Sequence, residues 1–485
     1  MKNKKGDVII VGTGIVGLMT AYYLNESGYK VTCYDFGPDP TNLHYDERMA
    51  STTYRSGNAR HVTSTETSSL ASSSRKGLIY KSPSVGGWMS KNIKQLTPSE
   101  KKWVDDFEYF THHPEIIDRY NDDICRINNM GKKGWYDLIR KNKKIFENCG
   151  LQLGVGIFFL NRKHFMKEKV DSFERAKSEA DFEDLYNTPK VKRLNIGKVR
   201  KAYPAFEYAC DQDLLVGGLT EDCITVNAID FCTNTINYLR NKGVAFHWEK
   251  FIVEIKRNEN SEISHLVNSK GEILKANHYV FSTGWLTHGL YKDTKCEDKI
   301  MGVLGCWVTV PNPGLEAETL VAHAFDAKPY SPKCFSGAFK IDAPEPTNYI
   351  NATLEGSKLI VSGGYGFIGN DITNIPNLIW PGVKAQFNHF EEIVKKIFPK
   401  AYEEAELAGS LDRRMCARPV TACGLGVFEE LKTVKGGKTV IVGANAAGGF
   451  TQAPALAEAV VSSIKGKTDH FVIRAYNPSR LERSS

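Results

Sequence analysis

Three glycines and one acid carry the clearest chemistry in this 485-residue sequence. Gly12-Thr-Gly14-Ile15-Val16-Gly17 has the spacing G-x-G-x-x-G, and Asp35 follows 23 residues after Gly12. Gly12 permits a tight turn. Gly14 lets the backbone approach a pyrophosphate, and Gly17 lets a helix pack close to its strand. The free N–H groups and positive dipole end of that helix suit phosphate oxygens. An acid at the distance of Asp35 can accept hydrogen bonds from ribose hydroxyls. The ligand expected from this pattern is a dinucleotide. The competing reading is a glycine turn in an empty domain of the same shape.

These residues need particular elements around them. The apolar run at residues 7–11 predicts a buried parallel strand, and residues 18–27 have helical apolar spacing ending at Gly28, a helix C-cap. Residues 30–35 predict the second strand of a βαβ unit. A second match, Gly364-Tyr-Gly366-Phe-Ile-Gly369, follows the apolar residues 359–362. The residues after it, Asn370-Asp-Ile-Thr-Asn-Ile-Pro-Asn, do not open a helix, so no dipole would face a phosphate. It reads as a strand ending in a glycine turn. Near the C-terminus, residues 438–443 predict a buried strand. It leads through a small-residue turn at 444–452 to an apolar helix at 453–463, a second anion-stabilising end.

The order of these motifs resembles the FAD-dependent amine and amino-acid oxidoreductases, the family of D-amino acid dehydrogenases and oxidases, glycine oxidase and sarcosine oxidase. The resemblance is firm over residues 7–62, 214–290 and 405–465 and weak over 80–205. It implies FAD as cofactor. It also implies that Gly12, Gly14, Ile15, Val16, Gly17 and Asp35 hold the pyrophosphate and ribose, that Ser56, Asn58, Ala59, Arg60 and His61 lie along the flavin, and that the backbone of Ile252 or its neighbour Val253 meets the adenine. Thr283 and Gly284 match a second flavin-side turn, and Gly448, Gly449, Phe450 and Thr451 match the C-terminal flavin turn. Arg418 matches an arginine that clamps the substrate carboxylate, a task for which its planar fork is suited. The competing reading pairs Arg418 with a structural acid such as Asp412. His61 matches a position where a ring nitrogen can orient a proton, or else is a loop histidine bonded to backbone. Cys416 falls where sarcosine oxidases carry a covalent flavin link, or else is a small buried apolar residue. Two stretches depart from the family pattern, Thr421-Ala-Cys423-Gly and Gly443-Ala-Asn.

The fold implied is α/β. A Rossmann-like FAD-binding domain from residues 1–80, 206–295 and 405–485 is interleaved with an α+β substrate domain from 81–205 and 296–404. The substrate domain is expected to hold a mixed or antiparallel sheet, with strands near 155–160 and 303–310. The aromatic cluster Trp103, Phe107, Tyr109 and Phe110 reads as an amphipathic helix packed on the core. The activity implied is oxidation of the C–N bond of an amino acid or secondary amine, with oxygen or a quinone as electron acceptor.

Composition narrows the classes. Hydrophobic residues are 41% and charged residues 25%, ordinary for a folded chain. The net charge of +7 is spread along the chain, without the stripe or module that nucleic-acid binding requires. No apolar run reaches the length of a membrane span, and the first residues do not read as a signal peptide. Eleven cysteines without a C-x-x-C pair fit a reducing, cytoplasmic compartment better than disulfides or structural zinc, with contact at the inner face of a membrane left open. No metal-ligand spacing is present. Three rival functions stay open: an NAD-dependent dehydrogenase, a flavin monooxygenase, and a non-catalytic or electron-transferring flavoprotein subunit of a larger complex.

Overall fold

The structure, a computed structural model, describes residues 5–42, 61–62, 68–159, 192–287, 289–315, 336–340, 349–355, 357–371, 379–443 and 448–483. Two large sheets and one small one organise them. The first sheet is built on β1 (Asp7–Val11), flanked by β2 (Lys30–Tyr34) and then β7 (Ala245–His247) on one side. On the other side lie β11 (His278–Phe281), β18 (Lys438–Gly443) and β17 (Val427–Lys432). All neighbours are parallel except β17, which turns back antiparallel on β18. Val8, Ile10, Val31, Val280 and Val440 are buried, as strands covered on both faces require.

Helix α1 (Ile15–Glu26) begins directly from the glycine loop, three residues earlier than the apolar spacing alone predicts, with Gly14 as N-cap. It ends as expected at Gly28, whose φ of 88° is left-handed, and Tyr29 N–H closes back onto Leu24 O. A three-stranded antiparallel sheet, β8 (Ile252–Arg257), β9 (Ile263–Asn268) and β10 (Ile273–Leu274), adds Ile252, Ile263 and Leu266 to the same core.

The second large sheet runs in the order β16 (Asp412–Thr421), β12 (Ile300–Pro311), β15 (Lys358–Gly369), β14 (Tyr349–Glu355), β13 (Ser336–Lys340), β4 (Gln152–Phe159), β6 (Gly217–Thr225) and β3 (His61–Val62). A short β5 (Lys192–Asn195) also pairs with β6. Pairings are antiparallel except β13 with β4, so the sheet is mixed. Helix α2 (Pro98–Thr111) starts with a capping box between Thr97 and Glu100 and buries Trp103, Phe107 and Phe110, the amphipathic helix expected.

Sheet membership departs from the segment boundaries read from the sequence. β6 and β16 lie in the second sheet although they fall within 206–295 and 405–485, because β16 pairs with β12 along ten consecutive residues. Helix α3 (Pro114–Lys141) falls within 81–205 yet packs on the helix that follows β18. Two glycines allow it: a Cβ on Gly131 would overlap the carbonyl of Thr451, and one on Gly134 would crowd Pro454. At 364–369 the strand extends further than the apolar run at 359–362: β15 runs through all three glycines and ends at Gly369, whose φ is 73°, and no helix opens at them.

Candidate active site

The glycine loop sits where β1 and β11 end side by side, with α1 and β2 leading away from one of them. Open parallel sheets bind ligands at such a point. Gly12 has φ of 92°, and a Cβ there would lie 2.8 Å from the carbonyl carbon of Ser282. A Cβ on Gly17 would overlap the Gly12 carbonyl and come within 2.6 Å of Ser282 Oγ. Ser282 Oγ itself donates to Gly12 O at 2.9 Å. The loop is thus pinned against the end of β11 with no room for side chains.

Helix α4 (Gly449–Ile464) brings a second N-terminus to the first. Its N-cap is Gly448, and neither it nor Gly14 provides a side-chain cap. The position a Cβ would take on Gly449 is 3.9 Å from Ile15 Cγ2, so the positive ends of α1 and α4 stand together. Phe450 does not present its ring to this site. The ring stacks on Trp135 at 4.9 Å and 7°, and Trp135 Nε1 donates to the Phe450 carbonyl. Thr451 is buried. Any contribution of Phe450 to a ligand is therefore through its backbone.

Asp35, at the end of β2, is buried and holds the loop. Its Oδ2 accepts from both the N–H and the hydroxyl of Thr13, each at 2.7 Å, and its Oδ1 accepts from Gly37 N–H at 2.9 Å. A carboxylate has lone pairs for about four such bonds, which leaves capacity for a ribose hydroxyl. Lys250 N–H donates to Asp35 O at 2.8 Å, placing buried Ile252 two residues from the same strand end.

Beyond β11, Gly284 has φ of 63° with open space where a side chain would stand. Thr283 Oγ1 is 2.7 Å from the hydroxyl of buried Tyr291, whose phenol is pushed up by burial. A pocket lies between Thr283, Gly284, Pro419, Thr421, Val442 and Gly443. It joins the ends of β11 and β18 to the last residues of β16. The unusual stretch 421–424 is a tight turn there: Gly424 N–H donates to Thr421 O, and Thr421 Oγ1 to Leu425 O at 2.6 Å.

Arg418 is one residue from that pocket, on β16. Its side chain crosses over Gly305 of β12, where a Cβ would press into the guanidinium, and Nη1 donates to Gly364 O at 2.8 Å on β15. A bulge makes this reach possible. Gly364 and Tyr365 stand opposite Gly305 alone, and Gly364 has φ of 84°. The guanidinium also lies 5.3 Å from the Tyr365 ring centre. The expected alternative partner, Asp412, pairs instead with Arg414 at 2.5 Å, and Arg413 takes Glu391. Among the described residues no carboxylate pairs with Arg418 itself. Cys416 lies two residues earlier on the same face of β16, opposite Gly305.

His61 pairs by backbone with Thr225 at the edge of the second sheet, and its side chain lies outside the described residues, as do Ser56, Asn58, Ala59 and Arg60 in full. Sequence reasoning missed Gly305, Tyr365 and the Thr13–Asp35 bonds. The Gly-Tyr-Gly run inside an apolar strand was the available sign for the bulge. Among the described residues no cluster of three or more His, Cys, Asp or Glu side chains could hold a metal, and no helix is long and apolar enough to cross a membrane.

These residues fit FAD. The turn has no room for side chains at Gly12 and Gly17, two helix N-termini without side-chain caps meet beside it, and Asp35, just after β2, keeps lone pairs that would suit a ribose hydroxyl. The comparisons agree. Iminodiacetate oxidase from Chelativorans sp. BNC1 superposes with a TM-score of 0.60 at 14% identity over 95% of each chain. L-amino acid deaminase from Proteus myxofaciens, in complex with anthranilate, gives 0.60 at 15% over 100% of this chain and 95% of that one. L-α-glycerophosphate oxidase from Mycoplasma pneumoniae, with FAD bound, gives 0.57 at 14% over 95% and 94%. At these identities the likeness is one of fold. A kynurenine 3-monooxygenase from Christiangramia forsetii is 44% identical over only 45 residues, 9% of this chain and 10% of that protein, too short a match to carry an activity. The family model described as DAO, FAD dependent oxidoreductase, matches residues 7–463, and on that match the chain belongs to this family, with FAD as its cofactor.

Proposed function

We propose that the protein oxidises the C–N bond of an amino acid or secondary amine. The observation that carries this reading is Arg418. It is a guanidinium without a carboxylate partner among the described residues, braced on the carbonyl of Gly364 and the ring of Tyr365. It stands beside the pocket that runs to the Thr283–Gly284 turn and the end of β18. An arginine so placed receives the carboxylate of a substrate through paired hydrogen bonds. The iminodiacetate oxidase and L-amino acid deaminase whose folds match are named for substrates of this kind.

Bound FAD supplies the hydride acceptor. Arg418 fixes one end of the substrate and so sets the direction of its Cα–H, an orientation effect that lowers the barrier without chemistry of its own. The amine enters neutral. Its Cα–H leaves with the bonding electron pair, the nitrogen lone pair closes the C=N bond, and the resulting iminium adds water. The products are an oxo acid and ammonia; where nitrogen carries an alkyl group and the hydride leaves from the alkyl carbon beside nitrogen instead of Cα, they are an aldehyde and a primary amine. The two electrons pass on to oxygen or a quinone. His61 is proposed to orient a proton near the reacting nitrogen. Cys416, on the same strand face as Arg418, is the candidate for a covalent flavin link.

The test is product analysis with a panel of amino acids and N-alkyl glycines, oxygen or a soluble quinone being supplied. Ammonia or aldehyde formed in proportion to substrate lost supports the reading. Hydrogen peroxide formation would identify oxygen as acceptor. An FAD-bound protein that forms no product from any amine is the outcome a non-catalytic flavoprotein subunit predicts.

A further inference from the structure

Thr283 stands at a junction. A Cβ on Gly12 would lie 3.2 Å from its Cα, so its backbone abuts the glycine turn. It also lines the pocket that reaches Pro419 and Thr421 at the end of β16. Ser282, just before it, is fastened to the glycine turn by the bond from its Oγ to Gly12 O. Thr283 is fastened from the other side. Its Oγ1 is 2.7 Å from the hydroxyl of Tyr291, which lines the same pocket.

Tyr291 is held at both ends. Its ring meets Phe281 of β11 edge to face, with 6.1 Å between centres at 86°. Its carbonyl accepts from the N–H of Thr294 at 3.1 Å and from the hydroxyl of Thr294 at 2.7 Å. The turn so formed is tied to β17 by a buried acid. One oxygen of Glu429 accepts from Lys295 N–H and the other from Cys296 N–H, each at 3.0 Å.

The two hydroxyls of Thr283 and Tyr291 bring two protons, and the bond between them uses one. Tyr291 is buried and keeps its proton, because burial pushes the phenol up. Thr283 is half-buried and borders the pocket. The phenol therefore donates to Thr283 Oγ1, and the threonine proton is left for a ligand.

We propose, resting on FAD as the cofactor and on the Thr283–Gly284 turn as one wall of its site, that Tyr291 is a positioning residue. It makes the Thr283 hydroxyl a fixed donor toward an oxygen of the bound cofactor. Tyr291 acts through Thr283 and takes no part in the oxidation. Glu429 serves the same end by holding the turn that carries Tyr291. Without the phenol the threonine hydroxyl is free to rotate, and ordering it has to be met again on binding. With the phenol in place that cost is met by the fold.

The experiment titrates full-length apoprotein with FAD and compares the wild type with Thr283→Val, Tyr291→Phe, the double variant and Thr283→Ser. Thr283→Val is expected to weaken FAD binding about tenfold, the loss of one hydrogen bond. Tyr291→Phe is expected to lose most of that factor, and the double variant no more than Thr283→Val alone, because the two residues act as one unit. Thr283→Ser keeps the hydroxyl and is expected to keep the affinity. At saturating FAD, Thr283→Val and Tyr291→Phe are expected to shift the visible flavin band alike, a change that a general loosening around Tyr291 would not share. Losses that multiply in the double variant overturn the assignment. Weaker binding in Thr283→Val with full affinity in Tyr291→Phe overturns the role of Tyr291 and keeps the turn as a wall of the site. Full affinity in both single variants overturns the role of Tyr291 together with that wall, and leaves FAD as the cofactor. Should Tyr291→Phe fail to fold, Glu429→Gln releases the turn from β17 instead. A loss of affinity that Thr283→Val does not deepen then supports the assignment, and full affinity overturns it.

Discussion

The carboxylate of Asp35 grips Thr13 twice, accepting one hydrogen bond from its backbone N–H and one from its hydroxyl, both at 2.7 Å. The acid that marks the end of the second strand thus shapes the glycine loop before any ligand arrives. Its third bond, from Gly37 N–H, ties the strand end as well. One buried group therefore couples the end of β2 to the glycine turn.

Replacing Asp35 by Asn removes the charge and turns an N–H₂ toward donors. Lost charge-assisted bonds of this kind cost about 1.5–3 kcal/mol each at most. FAD affinity is expected to fall about tenfold to a hundredfold. Thr13→Val removes only the hydroxyl bond and is expected to cost about tenfold or less. Apoprotein titrated with FAD measures both. Equal affinity in all three proteins would show that the grip is idle.

Gly17→Ala sets two effects against each other. Alanine favours a helix over glycine by about 1 kcal/mol. A Cβ at this position, however, overlaps the Gly12 carbonyl and crowds Ser282 Oγ, and backbone cannot yield as a flexible side chain can. The clash is expected to win, with a lower Tm and lower FAD content. Gly28→Ala has open space around it and meets only the strain of its left-handed φ, about 1 kcal/mol. Thermal melts of the two variants should rank Gly17→Ala well below Gly28→Ala, and the reverse order would contradict the packing described.

The glycine loop, α1, Asp35 and the α/β class could be read directly because each depends on residues close in sequence and on one period of apolar spacing. Arg418 could be named, but its setting could not. Gly305, the bulge at Gly364 and the ring of Tyr365 come together through pairing between residues separated by 50 or more positions, and no local pattern encodes which strands meet. The same limit misplaced α3, whose glycines at 131 and 134 show only in three dimensions that they admit α4. Phe450 enters the expected flavin turn through the family resemblance alone. Its ring is claimed by Trp135, a contact across 315 residues.

Burial makes the fold sensitive to alkali. It pushes the Cys423 thiol up to about 11 and the Cys149 thiol up to about 12, from an ordinary value of 9.0. Each folded value is raised, so the stability it carries is complete below about pH 9, where unfolded and folded thiols are both protonated. It is lost as pH rises through the folded value. Each such thiol lowers folding stability by about 1.4 kcal/mol per pH unit within its window. Tm is expected to hold steady to about pH 9 and to drop between about 9 and 11. Cys423→Ala should reduce the slope over that interval, and an unchanged slope would remove this thiol from the cause.

Cys416 offers a simple check of flavin attachment. Acid precipitation of the protein leaves a covalently linked flavin with the pellet and releases a non-covalent one. If Cys416 is the link, the yellow colour stays with the wild-type pellet and passes to the supernatant in Cys416→Ala. Colour released from both proteins would leave Cys416 as a half-buried thiol beside Arg418 with no bond to the cofactor.

The central claim is tested most directly by mixing the FAD-bound protein with amines in the absence of oxygen and following the visible flavin band. The expected result is bleaching by at least one carboxylate-bearing amine. Arg418→Met should need about a hundredfold more of that amine for the same rate, corresponding to a lost charged hydrogen-bond pair of about 3 kcal/mol, while FAD content is unchanged. A flavin that stays oxidised with every amine offered, or an Arg418→Met variant that is reduced as readily as the wild type, would contradict it.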